Sequence, residues 1–235
     1  MKRVSKRYYF APVFSTEFFM IIIDHSHHRY RVRRENSGAN KYNGAYYYSR
    51  EIVKNIIPNV KTDRNWITVN IPGAGANHAI QFIHNNLNAD KYQWIKTYGF
   101  KDVILICGVP ETCDKVAHLG TPIYLPLSID TKYVEQFKAE KTKKVCYAGR
   151  RNKLLLGNIP EGIDILSGMK RDDMLRKLAM YEEVYCVGRT ALEASCLGCK
   201  ILPFDNRFPD PSIWKVVDNL EAAQMLQDAL DEIDR

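Results

Sequence analysis

No apolar run in this 235-residue chain approaches the ~20 residues a helix needs to cross a bilayer. The longest, FFMIII at 18–23, is far too short, and the basic start MKRVSKR is not followed by an apolar core and a small-residue cleavage site. A cytoplasmic protein without a transmembrane segment is the expectation. Internal repeats and low-complexity tracts are missing too. Cys196-x-x-Cys199 has redox or metal spacing, but no second CxxC or HxxxH stands at zinc-site distance, so no metal is expected. Cys107, Cys146 and Cys186 each fall inside an apolar strand pattern, where a thiol acts as a small hydrophobe. The six cysteines therefore read as buried structural thiols in a reducing compartment.

What is present is ordinary for a globular chain. Apolar residues make up 46 % and charged residues 26 %, enough for one large or two small domains. The net charge of +7 favours an anionic partner: a nucleotide, a nucleic acid or a membrane surface. The excess gathers at Lys2, Arg3, Lys6 and Arg7, again at Arg29, Arg31, Arg33 and Arg34, and again between Lys138 and Lys153.

Read in order, the chain alternates strand and helix signals. A continuous apolar strand at 19–23 runs into Asp24-His25-Ser26-His27-His28, a polar cluster where open α/β sheets place functional residues. A Gly-rich loop leads into a helix at 45–57, ended by Pro58. Strands are expected at 66–71 and 79–83, the second followed by His84-Asn85-Asn86. The seven residues between them are too few for a crossover helix, which leaves a hairpin or one misassigned strand. A helix at 90–98, a buried strand at 102–107, a helix from Pro110 to 118 and a strand at 122–125 follow. A lysine-rich polar stretch at 132–144 then reads as a linker. Beyond it come strands at 144–148 and 163–166, a helix at 171–180 and a terminal amphipathic helix at 220–233.

Between those last two helices lies YEEVYCVGRTALEASCLGCKILP, residues 181–203. It reads as strand, Gly-Arg-Thr turn, short helix with Glu193, Gly stop and second strand. A turn emptying into a helix N-terminus presents unpaired N–H groups and a positive dipole end to an anion. The alternation implies two Rossmann-like halves facing across a cleft: an N-terminal domain at 1–130, a linker at 131–143 and a C-terminal domain at 144–235.

Four segments in this order resemble the GT-B glycosyltransferases, the group 1 or family 4-like sugar transferases with two Rossmann domains. DVILICGVPETCDKVAHLG with TPIYLPLSIDTKYV is similar to the end of that family's first domain and the run into its linker. KKVCYAGRRNK resembles the first strand and basic turn of its second domain, and VGRTALEASCLGCKILPFD its donor element. AIQFIHNN is similar to the strand and His-Asn loop some members carry on the acceptor side. The resemblance implies a compact, metal-independent transferase with no cofactor, taking a UDP- or GDP-linked sugar as substrate. It assigns Gly149, Arg150 and Lys153, with Gly188, Arg189 and Thr190, to the donor diphosphate, and Glu193 to the ribose. Two features depart from the family pattern: Tyr185 stands where many retaining members have a second glutamate, and 152–162 shows no clear helix.

An inverting enzyme needs a base at the acceptor hydroxyl; Asp24, His25 and His27 are the candidates, with His84 as second choice. A retaining enzyme needs none. The acceptor is open, and two rival readings stand beside the main one. In the first, the enzyme glycosylates modified bases in DNA, with Arg29 to Arg34 tracking phosphates. In the second, the chain is a non-catalytic binder of nucleotide sugars or nucleic acid.

Overall fold

The computed structural model describes residues 19–24, 29–34, 51–69, 78–83, 101–150, 158–206 and 208–235. They form an α/β structure of two compact units that are not the two halves of the chain. The first comprises Met1–Ser37 with Asp63–Ile123, and the second Gly38–Thr62 with Tyr124–Arg235. Residues 51–62, which the sequence places with the N-terminal half, thus pack with the C-terminal unit.

The first unit is built on a six-stranded sheet of order β2-β1-β3-β4-β5-β6. Its strands are β1 Phe19–Asp24, β2 Arg29–Arg34, β3 Asn65–Val69, β4 Ala79–Ile83, β5 Val103–Cys107 and β6 Thr121–Tyr124. β3, β4 and β5 run parallel in register, Trp66 opposite Ile80 and Ile80 opposite Ile104. Every residue of β4 and β5 is buried, as a strand covered on both faces requires. Trp66 stacks on Phe82 with ring centroids 6.1 Å apart, and the helix α1, Pro110–Val116, lays Val116 on Leu105 and Cys107.

Two expectations change here. β3 and β4 are both strands, yet they form a parallel pair and not a hairpin. Both sit in one buried sheet whose direction their apolar pattern does not encode. β1, expected to end among the functional residues of a parallel sheet, is antiparallel to β3 and paired with β2 as a hairpin. Ile23 lies opposite Trp66, so Asp24 ends at the amino edge of the parallel strands. The expected helix at 90–98 lies outside the described residues.

At that amino edge the starts of β3, β4 and β5 are tied together by charge. Arg64, almost fully buried, donates to Asp102 Oδ1 at 2.7 Å. His78 contacts Asp102 through Nδ1 at 2.5 Å and Asp63 through Nε2 at 2.9 Å. His78 and Asp102 both have positive φ, 52° and 56°, in the left-handed region where His and Asp are tolerated best after glycine and asparagine. The paired turns let His78 N–H reach Lys101 O and Ala79 N–H reach Asp102 O, each at 3.1 Å.

The second unit holds a four-stranded, all-parallel sheet of order β10-β9-β7-β8. Its strands are β7 Lys143–Ala148, β8 Asp164–Leu166, β9 Tyr181–Tyr185 and β10 Lys200–Leu202. Its helices are α2 Thr131–Glu135, α3 Arg171–Leu178, α4 Arg189–Cys196 and α5 Asn219–Ile233. A π-helical segment, Ile52–Ile56, runs into the 3₁₀ turn Ile57–Asn59. It buries Ile52 and Ile56 completely, in contact with α5. Part of the stretch read as a linker is helical: Asp130 caps α2 by accepting from Tyr133 N–H at 2.9 Å. Asp218 caps α5 and also accepts from Thr131 Oγ1 at 2.6 Å, which anchors α2 to it.

The Asp102 and Asp63 contacts raise the His78 pKa against a small opposing effect of burial. A raised folded pKa means that this stabilisation is complete below the ordinary histidine value of about 6.5 and is lost as pH rises through the folded value. Following the His78 ring by NMR should give a titration midpoint above that of an unfolded histidine, falling back in Asp102→Asn. A wild-type midpoint at or below the unfolded value would refute the bridge.

Candidate functional site

The second sheet has a topological switch point. From β7 the chain goes to β8 on one side and to β9 and β10 on the other, so the carboxyl ends of β7 and β9 diverge. Open α/β sheets bind ligands in the crevice outside such a point. The segments leaving it are Gly149-Arg150 after β7 and Cys186-Val187-Gly188 after β9.

Gly149 is close-packed. A Cβ there would lie 2.7 Å from Tyr147 Oη, the hydroxyl that donates to Arg150 O at 2.9 Å and folds the turn over the strand end. Arg150 is exposed at this edge. Lys153 lies outside the described residues. Gly188 caps α4 with φ 62° and ψ −139°, a conformation open to glycine alone, and accepts from Ala191 N–H at 2.9 Å. Thr190 is half-buried in the first turn. The helix closes on Gly198, φ 81°, with Cys199 N–H on Ala194 O and Gly198 N–H on Ser195 O, each at 2.9 Å. These two bonds make a Schellman stop.

Arg189 and Glu193 do not stand open to a ligand. Their side chains are 7 % and 3 % exposed and belong to a buried four-charge cluster. Glu193 Oε1 accepts from Arg189 Nε and from Arg171 Nε, each at 3.0 Å. Glu51 Oε1 accepts from Arg171 Nη1 at 2.8 Å and, more closely, from Arg189 Nη2. Asn219 Nδ2 reaches Glu51 Oε2 at 3.4 Å and its Oδ1 accepts from Ser128 Oγ at 2.8 Å. Two cations and two anions cancel, which is the condition for burying any of them. Burial pushes the Glu51 carboxyl up, but Arg189, and after it Arg171, hold it below the ordinary glutamate value. Burial likewise pushes Arg189 down, and Glu193 and Glu51 overcome it.

Sequence reasoning assigns two members of this cluster, Arg189 and Glu193, to a donor and not to each other, although they stand four apart on one helix. Glu51, Arg171 and Asn219 come from three other places in the chain. The signal for Glu51 was its position, three residues after Tyr48 and one before Ile52, beside the apolar face of its helix.

Beyond the carboxyl ends of β9 and β10, beside the switch point, a cavity of about 590 Å³ opens. Its wall is aromatic: Phe204 makes edge contacts with Tyr147 at 5.8 Å and Tyr185 at 6.2 Å and a tilted contact with Phe208 at 5.8 Å. Trp214 lines it as well, and its indole Nε1–H is buried without a hydrogen-bond partner among the described residues. Asp205 enters the rim, accepting from Asn158 Nδ2 at 3.2 Å. No Lys, Arg or His lines the cavity among the described residues. Tyr185, which stands where the resembled family has a second glutamate, is part of this wall.

Of the base candidates in the first unit, Asp24 ends β1 at the amino edge of the parallel strands. His25, His27 and His84 lie outside the described residues. Among the described residues no cluster of His, Cys, Asp and Glu is arranged to hold a metal, and no helix is long and apolar enough to cross a membrane.

Comparison with known proteins returns no match to a family model, a curated sequence or a solved structure.

Removing one carboxylate leaves the two buried arginines with one counter-charge. Glu51→Ala should destabilise the second unit by about 3–5 kcal/mol, read as a lower urea midpoint. Because the folded pKa is depressed, wild-type Glu51 stabilises at neutral pH, and that contribution is lost as pH falls below the ordinary glutamate range. Equal midpoints for Glu51→Ala and wild type at neutral pH would show the cluster to be energetically idle.

Proposed function

We propose that the chain is a metal-independent glycosyltransferase, moving a sugar from a UDP- or GDP-linked donor to an acceptor hydroxyl in the cytoplasm. One observation carries this reading. The switch point of the all-parallel sheet has a close-packed glycine turn and exposed Arg150 on one side, a glycine-capped helix on the other, and an aromatic cavity next to both.

The division of labour follows from charge. A nucleobase is planar and neutral, and the cavity offers it rings to stack on and no cation. A diphosphate needs N–H donors and positive charge, and at the switch point the N-terminal turn of α4 after Gly188, with Thr190 and Arg150, offers both. As the sugar departs, those groups neutralise the charge growing on the nucleoside diphosphate. Arg189 and Glu193 contribute by holding α4 in place, since their charges are already matched inside the protein.

That internal matching also favours a second reading, a non-catalytic binder of nucleotide sugars, because two groups that the resemblance assigns to the donor are engaged elsewhere. A panel of UDP-, GDP- and TDP-sugars separates the readings. The enzyme should hydrolyse one donor slowly without acceptor, with Arg150→Ala cutting the rate at least tenfold and Phe204→Ala weakening donor binding about tenfold. These two residues make cleaner probes than Glu193, whose loss would unbalance the buried cluster. Thermal stabilisation by a donor with no turnover on small or DNA acceptors identifies the binder. A protein that neither turns over nor is stabilised by any donor is neither.

A further inference from the structure

The cysteine motif visible in the sequence and the cysteines that meet in the structure are different pairs. Cys196 and Cys199 have the CxxC spacing, but the Schellman stop at Gly198 separates their surroundings. Cys199 Sγ is turned to Leu178 O at 3.4 Å and Lys141 Nζ at 3.2 Å, while the charged groups around Cys196 are Glu135, Lys138, Glu193 and Asp218. Cys107 and Cys113, six apart and without a motif, come together. Cys107 is the last residue of β5, Cys113 lies in α1, and the turn through Gly108 and Val109 folds one onto the other. Both thiols belong to one packed cluster with Leu105 and Val116, and both are free in this structure.

We infer that Cys107 and Cys113 are a reversible dithiol–disulfide pair at the carboxyl edge of the first unit's sheet. Their exposures give them different parts. Cys113 is partly accessible and meets the oxidant; Cys107 is fully buried and meets only Cys113. With a small symmetrical disulfide such as oxidised glutathione, the Cys113 thiolate attacks one sulfur and one glutathione thiolate leaves, taking up a proton. Cys107 then gives up its proton and attacks the Cys113 sulfur, and the second glutathione leaves. Two protein S–H bonds are lost, one S–S bond forms, and one oxidised glutathione becomes two reduced molecules. Burial, the larger effect at both sites, raises both thiols above the ordinary cysteine value, so exchange is slow at neutral pH and accelerates as pH rises. Closure ties the end of β5 to α1 without involving the second unit. The inference is independent of any sugar-transfer activity.

Trypsin offers a direct test, because Lys101 and Lys115 bracket both cysteines in one peptide, DVILICGVPETCDK. The full-length protein is incubated with oxidised glutathione, quenched in acid, alkylated in denaturant and digested without reductant. The expected peptide is unalkylated and lighter than the dithiol form by two hydrogen atoms, and dithiothreitol before alkylation restores two alkyl groups. Cys113→Ser should leave Cys107 reduced under the same treatment. The proposal fails if the wild-type peptide emerges doubly alkylated. It also fails if Cys113 keeps glutathione without resolving, or if the peptide is joined to a second chain. The wild-type map is sufficient by itself, so poor folding of the variant would not rescue the idea.

Discussion

Two arginines and two glutamates withdrawn from water hold the second unit together, and their balance constrains much of its architecture. Arg189 and Glu193 belong to α4, Arg171 to the start of α3, and Glu51 to a segment more than a hundred residues earlier in the chain. An unmatched charge in that setting costs several kcal/mol, so each partner is obliged to be there if the others are buried. Residues 51–62 therefore join the C-terminal unit through a charge as well as through Ile52 and Ile56. Asn219 extends the network to α5, and Ser128 extends it to the irregular segment just before α2.

This constraint moves the candidate chemistry. A helix N-terminus with an arginine in its first turn reads as an anion site, but the Arg189 side chain is spent inward. What remains at the surface is backbone: Gly188 in a conformation only glycine reaches, and the N–H groups that follow it. In the proposed transferase, the charge for a phosphate comes from the β7 turn, where Tyr147 Oη holds the Arg150 backbone. The cavity beside it has aromatic rings and carboxylates and no cation among its described residues. On that proposal the switch point takes the diphosphate and the cavity the nucleobase.

The strands were legible wherever burial on both faces made them continuous and apolar. VILIC is a strand because nothing polar interrupts it, and AIQFI has only Gln81 among its apolar residues; the structure has both within a residue of where the pattern puts them. Direction was not legible. FMIIID looks like a parallel core strand and is the antiparallel partner of β3, because a run of β-branched residues satisfies either ladder. The same limit applies to charge and sulfur. Glu51 finds its arginines, and Cys107 finds Cys113, only when the chain has folded, whereas the CxxC spacing that attracts attention is turned apart by a helix stop.

By itself the sequence determined the local events. Alternating apolar runs made an α/β chain, aspartates at 130 and 218 started helices, and glycines at 188 and 198 opened and closed α4. Each depends on the conformational preference or hydrogen-bonding reach of residues within a few positions of one another. The tertiary structure decided which strands run together, which segment completes the second unit and which charges are matched inside the protein. Those outcomes depend on pairs far apart in the chain, and the cost of burying a charge or a polar group is set only when its distant partner arrives.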